Sequence, residues 1–402
     1  MTIHVLYISH TSTVGGGELS LLDLLLGLPD TVVPLVACPS GTLERSISAA
    51  GIATVEIPGT QASLRLDSGT PTALADLARS ARALRVVARR RRIDLLHANS
   101  LRAGVAAALS RAGAPLVVTV RDCLPLSRGA RLAQSFVGGR ADVVVANSSY
   151  TAARFAAGGG GTARVVYPPI DLDRFDPSRY SRSLARVRLG VAEGTPLLGV
   201  VAQITPWKGQ LEAIETLAAV RASVPDARLV LVGGVLFAAE TTRFDNRAYE
   251  QLLRRAAADL GVIDGVSFLG ERDDVPALLS ALDLLLVPSW EEPFGRAAAE
   301  GLAMGVPVLA TAVGGTAEVI EDGVDGLLLP PREPSSWARA CVGLLRDPDR
   351  RAAFSGAGRR RVLDRFPRQR HVTATLDIYR GLVGDVAAQA RPAEAITTAV
   401  GL

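Results

Sequence analysis

Short apolar runs of strand length alternate with stretches of helical period along almost the whole chain, and this alternation narrows the fold more than any other feature. Strand-like runs fall at 3–9, 32–37, 53–57, 93–97, 115–120, 142–146 and 164–167, and again at 197–203, 228–232, 266–269, 283–287, 306–310 and 327–329. Between them lie stretches such as 17–28, where Leu19, Leu22, Leu25 and Leu26 recur at helical spacing. Strand, helix and strand in succession build βαβ units, whose strands are parallel and whose helices cover the sheet. The pattern breaks at 168–195, where Pro168, Pro169, Asp171, Asp173 and Pro177 fall among Ser and Arg residues of weak periodicity.

A chain of 402 residues exceeds what one core usually supports. The break therefore separates two doubly wound α/β domains in tandem: 1–170, and 171–367, with a last helix at about 368–387 packing back on the first domain. Gly158 to Gly161 reads as a flexible loop tip without chemistry. The tail beyond about Ala387 reads as loosely ordered. In such folds ligands bind beyond the carboxyl ends of the strands, so the cleft between facing domains is the default site.

Several classes are excluded by composition. No apolar run reaches the roughly 18 residues of a membrane span, and the opening MTIHVLYISH reads as a first strand rather than a leader. Cys38, Cys123 and Cys341 are widely spaced with no CxxC, which argues against a disulfide framework or a zinc site and for the cytoplasm. A net charge of +4 lacks the clustered cations and interleaved aromatics of a nucleic-acid binder. The one cluster, Arg89 to Arg92, is either a solvated helix end favoured by the dipole or a weak peripheral contact with an anionic membrane or acceptor. Against 43 arginines stands a single lysine, Lys208. Where arginine serves almost everywhere, that lysine marks a position needing a compact point charge.

Four stretches carry candidate chemistry. Val14-Gly15-Gly16-Gly17-Glu18 follows the first strand and opens a helix, so a phosphate or polyol can approach the backbone and the helix start closely. A dinucleotide site would also need an acid after the second strand, and Ala37-Cys38-Pro39-Ser40-Gly41 has none. Lys208, in Pro206-Trp207-Lys208-Gly209-Gln210 after the first strand of the second domain, is placed to neutralise a diphosphate leaving group. In the segment from Ser289 to Glu300, Glu292 precedes a helix and Glu300 lies inside it. Eight helical steps span about 12 Å and bring the second carboxylate within about 80° of the first, enough to hold hydroxyls at opposite ends of an extended ligand. Gly314-Gly315-Thr316-Ala317-Glu318 is a further glycine turn, with Thr316 as N-cap, shaping the cleft floor. The plain alternatives are a tight turn, a surface lysine and solvated acids. His97, Asn99, Arg121 and Asp122 end first-domain strands and are acceptor-side candidates. Asp171-x-Asp173 lies in the connection and is not read as a metal motif.

Together these residues resemble retaining glycosyltransferases of family 4, over roughly residues 3 to 385. The resemblance rests on the Gly15-Gly16 turn, Lys208-Gly209, Glu292-x7-Glu300 with Phe294-Gly295, and Gly314-Gly315. Val166-Tyr167-Pro168-Pro169-Ile170-Asp171 and Phe175 match the family's interdomain segment. It implies the GT-B architecture of two facing Rossmann-like domains and a hexosyltransferase that needs no metal or other cofactor. The donor would be a nucleotide diphosphate sugar, and the acceptor a hydroxyl on a glycan, lipid carrier or small metabolite. It further implies that Lys208 and Glu292 are catalytic, Lys208 on the diphosphate and Glu292 on the sugar hydroxyls. Gly15 and Gly16 would touch phosphate or acceptor, Glu300 the ribose, the amides of Phe294, Gly295 and Arg296 a phosphate, and Arg272 the base. Two positions depart from the family pattern. Gln203 stands where an arginine is usual, and the arginine's loss weakens leaving-group stabilisation unless Arg296, in the Glu292-x7-Glu300 motif, compensates. Arg121 stands where a histidine is frequent, which marks an altered substrate. The alternatives are a GT-B nucleotide-sugar-binding partner without turnover and a GT-B epimerase.

Overall fold

The computed structural model describes residues 2–59, 70–123, 127–236 and 244–389. The sequence tail from residue 390 lies outside the described residues. Strands β1 (Ile3–Ile8), β2 (Val32–Cys38), β3 (Ala53–Glu56), β4 (Leu95–Ala98), β5 (Leu116–Val120), β6 (Val143–Ala146) and β7 (Arg164–Val165) form one sheet, ordered β3-β2-β1-β4-β5-β6-β7. Strands β8 (Leu197–Val201), β9 (Arg228–Val232), β10 (Val266–Gly270), β11 (Leu284–Val287), β12 (Val308–Thr311) and β13 (Leu327–Leu329) form a second, ordered β10-β9-β8-β11-β12-β13. The pairings in both sheets are parallel; Val5 lies between Pro34 and Leu95, and Leu285 between Gly199 and Val308.

Both faces of each sheet are covered, which is why the strands read as unbroken apolar runs. In the first sheet Leu6, Ile8 and Val118 pack with Leu84 and Ala107 of two covering helices. On its other face Val5, Tyr7 and Val117 meet Leu21 and Leu24 of the helix Gly16–Leu26, together with Val372, Leu376 and Tyr379 of the terminal helix Arg368–Gln389. The second sheet repeats the plan, with Ile214 and Trp337 against one face and Ala298 and Leu302 against the other. Full burial of one such leucine contributes about 1.5–3 kcal/mol, so these covering faces dominate stability.

Each sheet changes winding direction beside its first strand, β1 with β2 and β4, β8 with β9 and β11. Helices leave to opposite faces there and open a crevice at the carboxyl ends. The first crevice holds the glycine turn and Asn99, the second Lys208 and Glu292.

The connection 168–195 is more ordered than its composition suggests. It contains the helix Arg182–Arg188, and Ile170, Phe175, Ala185 and Val191 join the second-domain core. The weak period has a cause: Arg186 is 1% exposed and fills a core position, its guanidinium capping the carbonyls of Ala192, Ala281 and Thr195. The chain returns beside this segment, where the Ile170 amide donates to Phe366 O at 2.9 Å. The glycine run at 158–161 is also no loose tip. Gly158 and Gly160 are buried, and a methyl on Gly160 would fall 2.3 Å from the Phe155 ring. Arg89 to Arg92 are exposed at the end of the helix Thr70–Arg90.

Candidate active site

At the head of β8, Pro206 to Lys208 form one 3-10 turn and Gly209 takes φ 73°, a left-handed conformation. A Cβ on Gly209 would lie 2.1 Å from Pro288 O, so only glycine lets this turn press on the end of β11. The turn is pinned there by the Trp290 amide donating to Trp207 O at 2.8 Å. This approach brings Lys208 Nζ to 2.6 Å from Glu292 Oε2 and over the Trp207 ring, 4.2 Å from its centroid. Ser289 Oγ donates to the same carboxylate oxygen at 3.1 Å. The backbone of Glu292 is set from below. Gly314, at φ 62°, would clash with Glu292 O through any Cβ, and the Gly315 amide donates to that oxygen at 2.8 Å. The second glycine turn thus positions Glu292. Its cap is Gly315 and not Thr316, whose hydroxyl donates instead to the carbonyls of Thr311 and Val313.

The helix Arg296–Ala303 begins at Gly295, and its first amides have no intrahelical acceptors, as at every helix start. Phe294 anchors that start, its buried ring 5.3 Å from Phe366 and 6.2 Å from Tyr167. Arg296 does not supply the cation that Gln203 lacks. Its guanidinium is spent on Glu300 (2.7 Å), Asp23 (3.0 Å) and Ser20 (3.0 Å), the last two in the first domain. Burial pushes the Glu300 carboxyl above its ordinary value, opposed by Arg296. Gln203 is half-buried, and its backbone carbonyl accepts from Gln210 Nε2 at 2.8 Å. Arg272, beyond β10, is forked onto Asp274 at 2.8 and 2.7 Å.

Across the cleft the glycine turn caps its own helix: the Gly15 amide donates to Glu18 Oε2 at 3.2 Å. Gly16 faces the other domain, where a Cβ would stand 3.8 Å from Arg296 Cδ. Arg121 Nη1 donates to Gly17 O, and Asn99 Nδ2 reaches the same oxygen at 3.5 Å. Asp122 is exposed. The Cys123 thiol is pushed up to about 12, by burial first and then by the charges of Glu291 and Glu292. His97, in contrast, is removed from the acceptor side. It is 5% exposed, and its ring nitrogens are taken by Tyr379 OH and Thr119 Oγ1 (2.7 Å).

The cleft also holds His10, which sequence reasoning passed over, and Glu318, which it named only as the end of a glycine turn. His10 lies just past β1, its Nδ1 2.9 Å from Ser100 Oγ, and burial followed by Arg102 and Arg121 holds its imidazole down to about 3. Its place at a strand end was the available signal. Glu318 reaches from the second domain to cap the helix Ser149–Ala157, accepting from the amides of Ser149 and Tyr150 at 2.8 and 3.1 Å and from Tyr167 OH at 2.9 Å. Among the described residues no three His, Cys, Asp or Glu side chains converge as metal ligands would.

This arrangement offers a cation, a carboxylate and a helix start together on one side of a cleft, and a glycine turn opposite. Comparison with known proteins gives it a context. Residues 14–174 match the model of Glycosyltransferase Family 4 and residues 181–361 that of Glycosyl transferases group 1. A D-inositol 3-phosphate glycosyltransferase of Saccharomonospora viridis is 32% identical over 71% of this chain and 70% of its own length. Another, of Salinispora arenicola, is 38% identical over 54% of this chain, but the match spans only 48% of that protein. A GDP-mannose-dependent alpha-(1-6)-phosphatidylinositol monomannoside mannosyltransferase of Mycolicibacterium smegmatis is 34% identical, the match spanning 62% of its length. The crystal structure of Anabaena Alr3699/HepE in complex with UDP-glucose superposes with a TM-score of 0.81 at 27% identity, covering 94% of this chain and all of that one.

Proposed function

The chain belongs to glycosyltransferase family 4, with the GT-B fold, and from that premise we propose that it transfers a hexosyl group from a nucleotide diphosphate sugar to a hydroxyl, with retention and without a metal. The observation that carries this reading is the Lys208–Glu292 pair, 2.6 Å apart at the head of β8 and β11. A donor of this class joins an anionic diphosphate directly to a hydroxyl-rich ring. A cation and a carboxylate acceptor side by side suit that junction.

In the proposed reaction the bond from the sugar C1 to the diphosphate oxygen breaks as the acceptor oxygen bonds to C1 on the same face. The acceptor's proton passes to the departing diphosphate. Lys208 and the first amides of the helix Arg296–Ala303 stabilise the charge that develops on the leaving group, the role a metal would otherwise fill. Glu292 accepts hydroxyls of the sugar. With Gln203 uncharged and Arg296 engaged elsewhere, Lys208 carries most of that stabilisation. A cytoplasmic setting goes with this reading, since Cys38, Cys123 and Cys341 are all free thiols. No helix among the described residues is long and apolar enough to cross a membrane.

UDP- and GDP-sugars both occur among the named similar proteins, so the test begins with a panel of both. Wild-type protein is expected to gain a few degrees of thermal midpoint with one donor and to release its nucleotide when alcohols are added. Ligand at 100 times Kd corresponds to about 2.7 kcal/mol of added stability. No shift with any UDP- or GDP-sugar would sink the reading. A shift without turnover would favour a binding partner over an enzyme.

A further inference from the structure

Arg121 is a buried cation whose hydrogen bonding is incomplete. Its side chain is 10% exposed, and Nη2 is shielded from solvent yet meets no acceptor. Nη1 is occupied by the neutral Gly17 carbonyl. The carboxylate of Glu18 stands 4.0 Å from Nη2, beyond hydrogen-bond reach, and its other oxygen already holds the Gly15 amide at 3.2 Å. Asp122 is exposed, and the imidazoles nearby, His10 and His97, bring no negative charge.

The guanidinium's charge is opposed only at a distance, by Glu18 and the exposed Asp122, and Nη2 is left without an acceptor. Its planar fork matches the paired oxygens of a carboxylate or phosphate, and the start of the helix Gly16–Leu26 adds positive potential beside it. An anion would satisfy Nη2 and add to the weak compensation that Glu18 and Asp122 give. We propose that Arg121 receives an anionic group of the substrate, a phosphate or carboxylate, carried on the acceptor or on the donor sugar. This anion is distinct from the donor diphosphate, which belongs to Lys208 across the cleft. The proposal rests on the nucleotide-sugar reading of the cleft.

The test titrates inorganic phosphate into protein first saturated with UDP or GDP, so that the diphosphate site is filled. Saturable phosphate binding is expected for wild type, weakened at least tenfold in Arg121→Gln and restored to within a few-fold by Arg121→Lys. Two arms then locate the source. If UDP-glucuronate binds wild type tenfold tighter than UDP-glucose and Arg121→Gln closes that gap, the anion rides on the sugar. If the two donors bind alike while glycerol 3-phosphate, but not glycerol, displaces phosphate, it rides on the acceptor. Saturation by nucleotide with no saturable phosphate binding, or binding equal in wild type and Arg121→Gln, would overturn this inference and leave the donor site standing. Failure of wild type to bind either nucleotide would overturn both.

Discussion

Lys208 and Glu292 lie 84 positions apart in sequence and in direct contact in space, and removing either leaves the other buried without its main partner. Breaking a buried pair in this way costs roughly 3 kcal/mol. For Lys208→Ala the larger effect is expected in catalysis. By analogy with the loss of one preorganised donor to a developing anion, kcat should drop by about two to three orders of magnitude. Lys208→Arg should recover only part of it, since a planar fork is no substitute for a compact ammonium pressed between Trp207 and Glu292. Single-turnover rates with saturating donor check both variants, and a kcat within threefold of wild type for Lys208→Ala would remove the lysine from the mechanism. Gly17 gives a second prediction. A Cβ there would lie 2.4 Å from Arg121 Nη1. Gly17→Ala should therefore push the guanidinium aside and weaken phosphate binding as Arg121→Gln does, while the unfolding midpoint stays within a few degrees because alanine suits a helix start. Unchanged phosphate affinity in Gly17→Ala would show that the guanidinium does not depend on that space. These residues differ in how far the sequence announced them. Lys208 stood out as the lone lysine, and Glu292 and Glu300 by their spacing. That Arg296 turns to Asp23, 273 positions away, could not be read from spacing, because it depends on how the two domains face each other.

At the scale of elements, the strands were legible because both faces of each sheet are buried, so that nearly every strand position is apolar. The helix Arg182–Arg188 was hidden for the opposite reason, since the buried Arg186 interrupts its apolar period. The terminal helix Arg368–Gln389 is tied to the first domain by two histidine contacts that no periodicity reveals. Tyr379 OH bonds His97 Nδ1, and His371 Nδ1 lies 2.8 Å from Tyr167 O. Burial holds His97 down to about 3 and His371 to about 4, against an ordinary value of 6.5. A histidine whose folded value is depressed binds protons only in the unfolded chain between the two values. Its contribution is complete above pH 6.5 and is lost as pH falls below it. At up to about 1.4 kcal/mol per pH unit for each group, His97 and His371 together remove roughly 3 kcal/mol of stability between pH 6.5 and 5, and His10, also held down to about 3, adds about half as much again. Urea unfolding at those two pH values checks this, and His371→Gln should lose about a third of that pH dependence. A variant with the same pH slope as wild type would show that His371 is already protonated in the fold.

For the whole molecule, the two domains are held together by a small set of contacts around the cleft, apart from the paired crossings at Ile170 and Pro367. Arg296 bonds Asp23 and Ser20, Glu318 caps the helix Ser149–Ala157, and Ser148 Oγ donates to Pro293 O. Each joins a first-domain element to the segment carrying Glu292 or to the glycine turn beneath it, so the contacts that hold the domains facing each other also position the Glu292 carboxylate. Charge-assisted bonds of this kind contribute about 1.5–3 kcal/mol each, enough in combination to decide how much of the population is closed. A transfer reaction depends on that closure, because water admitted to the cleft competes with the acceptor for the sugar. The double variant Asp23→Asn, Glu318→Gln keeps every residue proposed to touch the donor. It is expected to enlarge the radius of gyration measured by X-ray scattering, and to raise donor hydrolysis relative to transfer several-fold. The acceptor KM should rise with it. If scattering and the hydrolysis-to-transfer ratio both stay at wild-type values, these contacts are incidental to closure and the crossings alone set the domain arrangement. If the radius grows while the ratio holds, closure is set by the substrates themselves, through the diphosphate drawn between Lys208 and the glycine turn.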